Sequence, residues 1–218
     1  MRRSIPLVVV TASALIASTA LADEPAADKD GWITMFDGKS LDGWKVSNFA
    51  GHAEPRVEDG KIILPFGSEM TGVTWAGRVL KDDYEIELDA QRVDGTDFFC
   101  ALTFPVKEDP CTLVCGGWGG GVVGLSSING MDASENATSS YREFKKGQWY
   151  SIRVKVAGGR IQAWIGEEQV VDFEIRDQKI SIRSEVELSK PLGVATWCTT
   201  GALKNIRMRA VKADKTQP

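Results

Sequence analysis

Residues 84–91 alternate strictly: Tyr84, Ile86, Leu88 and Ala90 are apolar, and Glu85, Glu87, Asp89 and Gln91 between them are polar. An extended backbone sends successive side chains to opposite faces, so this stretch predicts a half-buried strand. Asp94-Gly95 supplies a turn, and Phe98–Phe104 follows as a nearly unbroken apolar run, as expected of a strand buried more completely. Arg56–Glu58, Asp59-Gly60 and Lys61–Leu64 form the sharpest hairpin signal, a two-residue Asp-Gly turn between short strands. Thr71–Leu80 reads as a further strand. Lys107–Pro110 reads as a polar turn from which Cys111–Cys115 returns as a strand. Later, Ile152, Val154 and Val156 share one face, Gly158-Gly159 turns the chain, and Ile161, Ala163 and Ile165 share the next. Val170–Ile175, Pro191–Thr199 and Leu203–Val211 complete the set. No helix-period segment of useful length intervenes, so the predicted architecture is all-β: two antiparallel sheets packed as one sandwich over residues 31–211, with 212–218 as a frayed tail.

The N-terminus follows another logic. Met1-Arg2-Arg3 is basic, Ile5–Ala17 is apolar and small, and Ala20-Leu21-Ala22 precedes Asp23-Glu24-Pro25. That order predicts a secretory signal peptide over residues 1–22, too short and alanine-rich for a membrane span, and hence a secreted or periplasmic protein. Residues 23–30 are charged and small, and are expected to form a flexible leader. Losing Arg2 and Arg3 would take the formal charge from −4 to about −6. With no cluster of Lys and Arg, neither nucleic acid nor an anionic membrane is an expected partner, and no membrane span remains after signal cleavage. Oligomeric state is not written in the sequence.

Several chemistries are excluded by spacing. Gly119-x-Gly121-x-x-Gly124 has the form of a dinucleotide fingerprint, but Leu125–Ile128 does not start the helix that the motif requires. A Ser–His–acid triad would depend on His52, the sole histidine, in a loop with no supporting neighbours. Four cysteines, Cys100, Cys111, Cys115 and Cys198, in an exported chain suggest disulfides or buried thiols rather than a metal site; two bridges would allow three connectivities. If the turn centres between Lys107 and Glu108, Cys100 faces Cys115, and a bridge there is expected, with Cys115–Cys198 as its rival. Asp132, Ser134, Glu135 and Asn136 form an oxygen-rich stretch, so Asp132, Glu135 and Asn136 are candidate ligands for a divalent cation such as calcium. Asn136-Ala137-Thr138 is also a glycosylation sequon in a eukaryotic host.

The order of the segments resembles a known family. Gly31–Trp44 (GWITMFDGKSLDGW), Val57–Leu64 (VEDGKIIL), Trp149–Trp164 with Val170–Asp172, and Leu203–Arg209 (LKNIRMR) are similar to the hallmarks of the secreted 3-keto-disaccharide hydrolase domain, also described as 3-keto-glucoside 1,2-lyase and 3-keto-2-hydroxyglucal hydratase. The resemblance implies a concanavalin A-like jelly roll and a saccharide partner. It also implies cleavage of 3-keto-glycosides by elimination across C1–C2 followed by hydration, with a non-catalytic carbohydrate-binding or interaction module as the alternative. Such chemistry needs a base and a group that polarises the ketone; Arg78, Asp97, Asp132 and Glu135 are the candidates. Members of the family usually carry Tyr, Glu and Gln on the strand that is here Cys111–Gly121. The same fold hosts family-sixteen glycosidases, whose paired carboxylates Glu85, Glu87 and Asp89 would imitate. Those belong on the strand after Phe98–Phe104, which here has no acid, so the Glu85 row is expected to be a solvated face.

Sugar rings pack their C–H faces on aromatic planes, which makes Trp75, Trp118 and Trp197 the candidate ligand-binding residues. Trp118 leads because Gly116, Gly117, Gly119, Gly120 and Gly121 surround it with little side chain to bury it. Intact-mass analysis of exported protein is expected to show a chain starting at Asp23; retention of Met1–Ala22 would contradict the signal-peptide reading.

Overall fold

The computed structural model describes residues 27–212. The expected signal peptide and the tail beyond Lys212 lie outside the described residues. Fifteen strands appear in order: β1 Ile33–Thr34, β2 Trp44–Val46, β3 Arg56–Glu58, β4 Lys61–Leu64, β5 Met70–Trp75, β6 Tyr84–Gly95, β7 Cys100–Val106, β8 Asp109–Gly117, β9 Val122–Ser126, β10 Ser140–Tyr141, β11 Trp149–Ala157, β12 Arg160–Ile165, β13 Glu168–Glu174, β14 Gly193–Trp197 and β15 Thr199–Ala210. One sheet runs β13-β12-β11-β6-β15-β4-β3 with β1 added to β15, and the other runs β10-β9-β8-β7-β14-β5-β2. The expected all-β sandwich of two antiparallel sheets is the observed architecture.

Period-two alternation builds the core between the sheets. Tyr84, Ile86, Leu88 and Ala90 of β6 point inward, as do Ile152, Val154 and Val156 of β11. Opposite them stand Cys100, Leu102 and Phe104 of β7 and Cys111, Leu113 and Cys115 of β8. The buried Tyr84 hydroxyl donates to the Pro105 carbonyl at 2.6 Å, so one polar group of each sheet satisfies the other. Trp44 and Trp75 meet edge to face at 5.3 Å in this core. Trp75 is 7% exposed, and its indole N–H donates to the Arg78 carbonyl at 3.2 Å. Trp75 is therefore a core residue and not the ligand platform expected of it. A Cβ at Gly43 or Gly77 would collide with its ring, which explains why glycine stands at both positions.

Three further expectations are revised. The turn does centre on Lys107 and Glu108, and Cys100 faces Cys115 across β7 and β8, as the register argument required. Yet all four cysteines are free thiols, with Cys100, Cys111 and Cys115 buried among apolar side chains. Burial pushes the Cys111 thiol up to about 12, and the thiol of Cys115 beside it is the first cause, before burial, of the rise at Cys100. The leader is not uniformly loose: the Asp28 carboxylate accepts the Asp30 and Trp32 N–H groups at 2.9 Å, closing a turn against β15.

The Glu85 row is the third revision. It lies on the outer face of the first sheet but is not simply solvated: Glu85 is only 3% exposed. The Arg209 guanidinium binds it, with Arg153 at 3.9 Å on the other side. Glu87 pairs with Arg207, and Asp89 accepts from Asn205 at 2.7 Å. The cations in turn cover tryptophans. Arg207 and Arg209 lie 4.2 and 4.3 Å from the Trp32 ring, Arg153 lies 4.0 Å from Trp164, and Lys204 lies 4.2 Å from Trp149. This lattice buries one carboxylate without core residues. Glu85→Gln should therefore cost about 1–3 kcal/mol, less than for a fully enclosed pair because both arginines keep contact with water. Glu87→Gln should cost less. Urea midpoints check the order, and equal losses would refute the special burial of Glu85.

Candidate functional site

The outer face of the second sheet carries a cavity of about 240 Å³. Its floor is made of small or short side chains: Ala101 of β7, Thr112 and Val114 of β8, and Ser126 of β9. They occupy the positions that alternate with the inward Cys100, Leu102, Leu113 and Leu125, so the period that fills the core also leaves this hollow. Trp197 at the end of β14, Phe98 before β7 and Trp118 in the β8–β9 turn supply aromatic walls. Phe98 and Trp197 contact at 6.4 Å between centroids with their rings tilted. A segment between β13 and β14, including the 3-10 turn Ser184–Ser189, folds over this face; its Val186 packs with Phe49, Met70 and Ala195.

Asp97, Arg183 and Glu185 supply the charged part of the lining. Asp97 Oδ1 accepts the Phe98 N–H at 2.8 Å, and Oδ2 accepts the Gly119 N–H at 3.0 Å. The Arg183 guanidinium donates to Asp132 at 2.9 Å and to Glu185 at 2.6 Å. Donation from Arg183 holds the Glu185 carboxyl down to about 2. Because the folded-state value is depressed, the pair supports the covering segment above the ordinary carboxylate range and loses that support as pH falls towards about 2.

Trp118 is 42% exposed and adopts φ +47°, a left-handed conformation that costs a non-glycine residue about 1–2 kcal/mol. The cost is sustained by a buried side chain that the sequence reading passed over, Arg92. Its guanidinium donates to the carbonyls of Gly120 at 2.8 Å, Asp97 at 3.0 Å, Gly116 at 3.1 Å and Phe144 at 3.2 Å. It also lies 5.2 Å from the Phe99 ring and 5.9 Å from that of Phe144. One cation thus ties the loop bearing Asp97 to the turn bearing Trp118. Gly116 sits at φ +79°, and a Cβ there would strike the guanidinium, so this glycine makes room for Arg92 and is not a mere bulge. Burial draws the arginine's pKa down, and the charge of Asp97 opposes that shift. The signal was present: position 92 continues the inward series 84, 86, 88, 90, so the alternation itself puts a guanidinium on the core face.

Of the expected site residues, the structure brings together Trp118, Trp197 and Asp97, and adds Phe98, Arg183 and Glu185. Arg78 is exposed in the loop after β5, beyond Trp75, whereas the cavity lies towards the Met70 end of that strand. Asp132, Glu135 and Asn136 do not converge as a cation site. Asp132 is engaged by Arg183 and by the Ser134 N–H and hydroxyl. Asn136 is buried, donating to the Leu125, Met131 and Asp132 carbonyls and accepting from Thr138. No group of three or more His, Cys, Asp or Glu side chains that could hold a metal occurs among the described residues. His52 is half-buried with Nδ1 at 2.7 Å from the Phe49 carbonyl and has no part in the cavity.

The two-sheet sandwich is shared with several solved structures. The fold is similar to a candidate glycosyl hydrolase from Parabacteroides distasonis, at 15% identity over 84% of this chain and 95% of that one, TM-score 0.54. It is similar to domain 4 of AbnA, an extracellular arabinanase from Geobacillus stearothermophilus solved with arabinotriose, at 14% identity over 83% and 91%, TM-score 0.54. It is also similar to a galectin-like protein of unknown function from Bacillus subtilis, at 9% identity over 79% and 91%, TM-score 0.57. Residues 31–209 match the 3-keto-alpha-glucoside-1,2-lyase-like domain, and the chain belongs to that family. A search of curated proteins finds no match.

Arg92→Lys keeps the charge but cannot serve four carbonyls in the same fan. Faster amide hydrogen exchange at Gly119–Gly121 is expected, together with a stability loss of about 2–4 kcal/mol as buried carbonyls lose their donors. Unchanged exchange in that turn would show that Arg92 does not organise it.

Proposed function

We propose that the cavity holds one ring of a saccharide against Trp118 and Trp197, and that the substrate is a 3-keto-glycoside cleaved with Asp97 as the base. The observation that carries this reading is the placement of two tryptophans and the Asp97 carboxylate around a single small hollow. Its volume, about 240 Å³, is below the roughly 300–1,000 Å³ of a pocket for a drug-sized ligand, which suits a single ring. The Phe98 and Gly119 N–H groups each hold one oxygen of Asp97, which fixes the orientation of the carboxylate beside the hollow.

In this reading Asp97 removes the C2 proton, and the electron pair moves into the enolate of the C3 ketone. The enolate then expels the C1 substituent, which leaves as an alkoxide and takes up a proton, giving a C1–C2 double bond conjugated to the ketone. Water adds at C1, C2 regains a proton, and the net change is hydrolysis. The Arg183 guanidinium in the lining supplies positive charge towards the enolate oxygen. The signal-like segment at residues 1–22 supports action outside the cytoplasm.

A second reading, a binding module without catalysis, is favoured by one observation: Glu185 is held ionised by Arg183, so it cannot donate a proton near neutral pH. Incubation with 3-keto-trehalose or 3-keto-sucrose separates the two readings. Released monosaccharide, reduced more than about 100-fold by Asp97→Asn with binding retained, supports catalysis. Trp118→Ala should weaken binding by roughly threefold to tenfold with little change in Tm. Binding without release would favour the module, and no binding at all would refute both. An EDTA arm reads whether a divalent cation takes part.

A further inference from the structure

The cavity accommodates one ring, yet the aromatic surface around it does not stop at its edge. Tyr141 on the edge strand β10 is 80% exposed, the most open of the large apolar side chains among the described residues. It pairs with Val122 across the antiparallel β9–β10 ladder, and such partners share a face. Val122 alternates with buried Val123 and so lies on the face that carries Ser126 of the cavity floor. Tyr141 therefore stands on the same outer face as Trp118 and Trp197.

It also stands at the same end of that face. Following the register, Trp197 N–H donates to the Phe98 carbonyl, Cys100 faces Cys115, Gly117 faces Val122, and Val122 faces Tyr141. Trp197, Phe98, Trp118 and Tyr141 thus form a row across the strands from β14 to β10. Four strand spacings of about 4.8 Å make that row about 19 Å long, the span of several linked sugar rings and not of one.

The Tyr141 ring is placed rather than merely left outside. A Cβ at Gly121 would fall within the ring's own volume, so the absence of a side chain there gives the ring its seat against the glycine turn. That seat leaves the greater part of the ring open, and its hydroxyl has no hydrogen-bond partner among the described residues. A seated ring exposes a stacking plane at a lower entropic cost than a free one.

We propose that Tyr141 forms a distal subsite and that the ligand is a linear oligosaccharide of three or more rings. Its terminal ring enters the cavity between Trp118 and Trp197, and the remainder runs over the glycine turn onto Tyr141. The inference rests on the saccharide reading of the cavity and specifies the length of what binds there. In the cleavage reading, the chain over Tyr141 is the leaving group attached to C1 of the terminal ring.

The test compares 3-keto-maltose with 3-keto-maltotetraose, each oxidised on the non-reducing ring, by rapid tryptophan-fluorescence titration of the wild-type, Tyr141→Ala, Tyr141→Phe and Trp118→Ala proteins. The longer ligand is expected to bind the wild type roughly threefold to tenfold more tightly, from one added stacking contact. Tyr141→Ala should erase that gain without changing affinity for the two-ring ligand, Tyr141→Phe should retain most of it, and Trp118→Ala should weaken both ligands. Equal affinity for the two ligands in a wild type that depends on Trp118, or an equal loss for both in Tyr141→Ala, overturns the distal subsite while leaving the cavity reading intact. Absence of binding by either ligand overturns the cavity reading and the subsite with it.

Discussion

Two sheets packed face to face leave each strand one side for cohesion and one for everything else. Along β7 and β8 the inward positions are filled by Cys100, Leu102, Phe104, Cys111, Leu113 and Cys115. The alternate positions Ala101, Thr112 and Val114 face outward and floor the cavity. Their short side chains have a physical consequence: a hollow forms on a surface that bulky residues would have filled. The same constraint acts on the other sheet with the opposite result. There the outward positions of β6, β11 and β15 carry carboxylates, guanidiniums and tryptophans that pair with one another, and the hollow of about 370 Å³ among them is lined mainly by polar side chains such as Glu87, Asp89, Ser151, Asn205 and Arg207.

Arg92 breaks the pattern and is the link between core and site. A guanidinium on the inner face of β6 would be costly if its N–H groups were unpaired. Here its two terminal nitrogens reach carbonyls from three separate stretches of chain and two aromatic faces enclose it, while the Nε–H is left without a partner. Those carbonyls belong to the loop and the turn that carry Asp97 and Trp118. The strained conformation of Trp118 and the left-handed Gly116 are then consequences of a single buried cation whose fan of donors needs oxygen atoms at fixed directions. Asp97 closes the arrangement from outside by accepting the Gly119 N–H.

The seven tryptophans fall into three physical roles that their sequence neighbours only partly reveal. Trp44 and Trp75 fill the core edge to face. Trp32, Trp149 and Trp164 lie beneath cations on the first sheet. Trp118 and Trp197 wall the cavity. The expectation for Trp118 rests on its glycine neighbours, yet two of those glycines answer to other contacts, Gly116 to Arg92 and Gly121 to Tyr141. The expectation for Trp75 came from residue type alone. It did not weigh Gly43 and Gly77, which make room for a buried ring.

By itself the sequence determined the two antiparallel sheets, the turn at Lys107–Glu108, the facing of Cys100 with Cys115 and the family to which residues 31–209 belong. These follow from alternation, turn chemistry and short motifs, all of which act over a few residues. Only the tertiary structure decided that Asp97, Trp118 and Trp197 share a cavity with Arg183 and Glu185, that Arg78 and Glu135 do not, and that Glu85 is buried under arginines. Each of those outcomes depends on which strands become neighbours across gaps of up to 124 residues, as for Glu85 and Arg209. Strand order at that range is set by the packing of whole faces, and no local pattern records it.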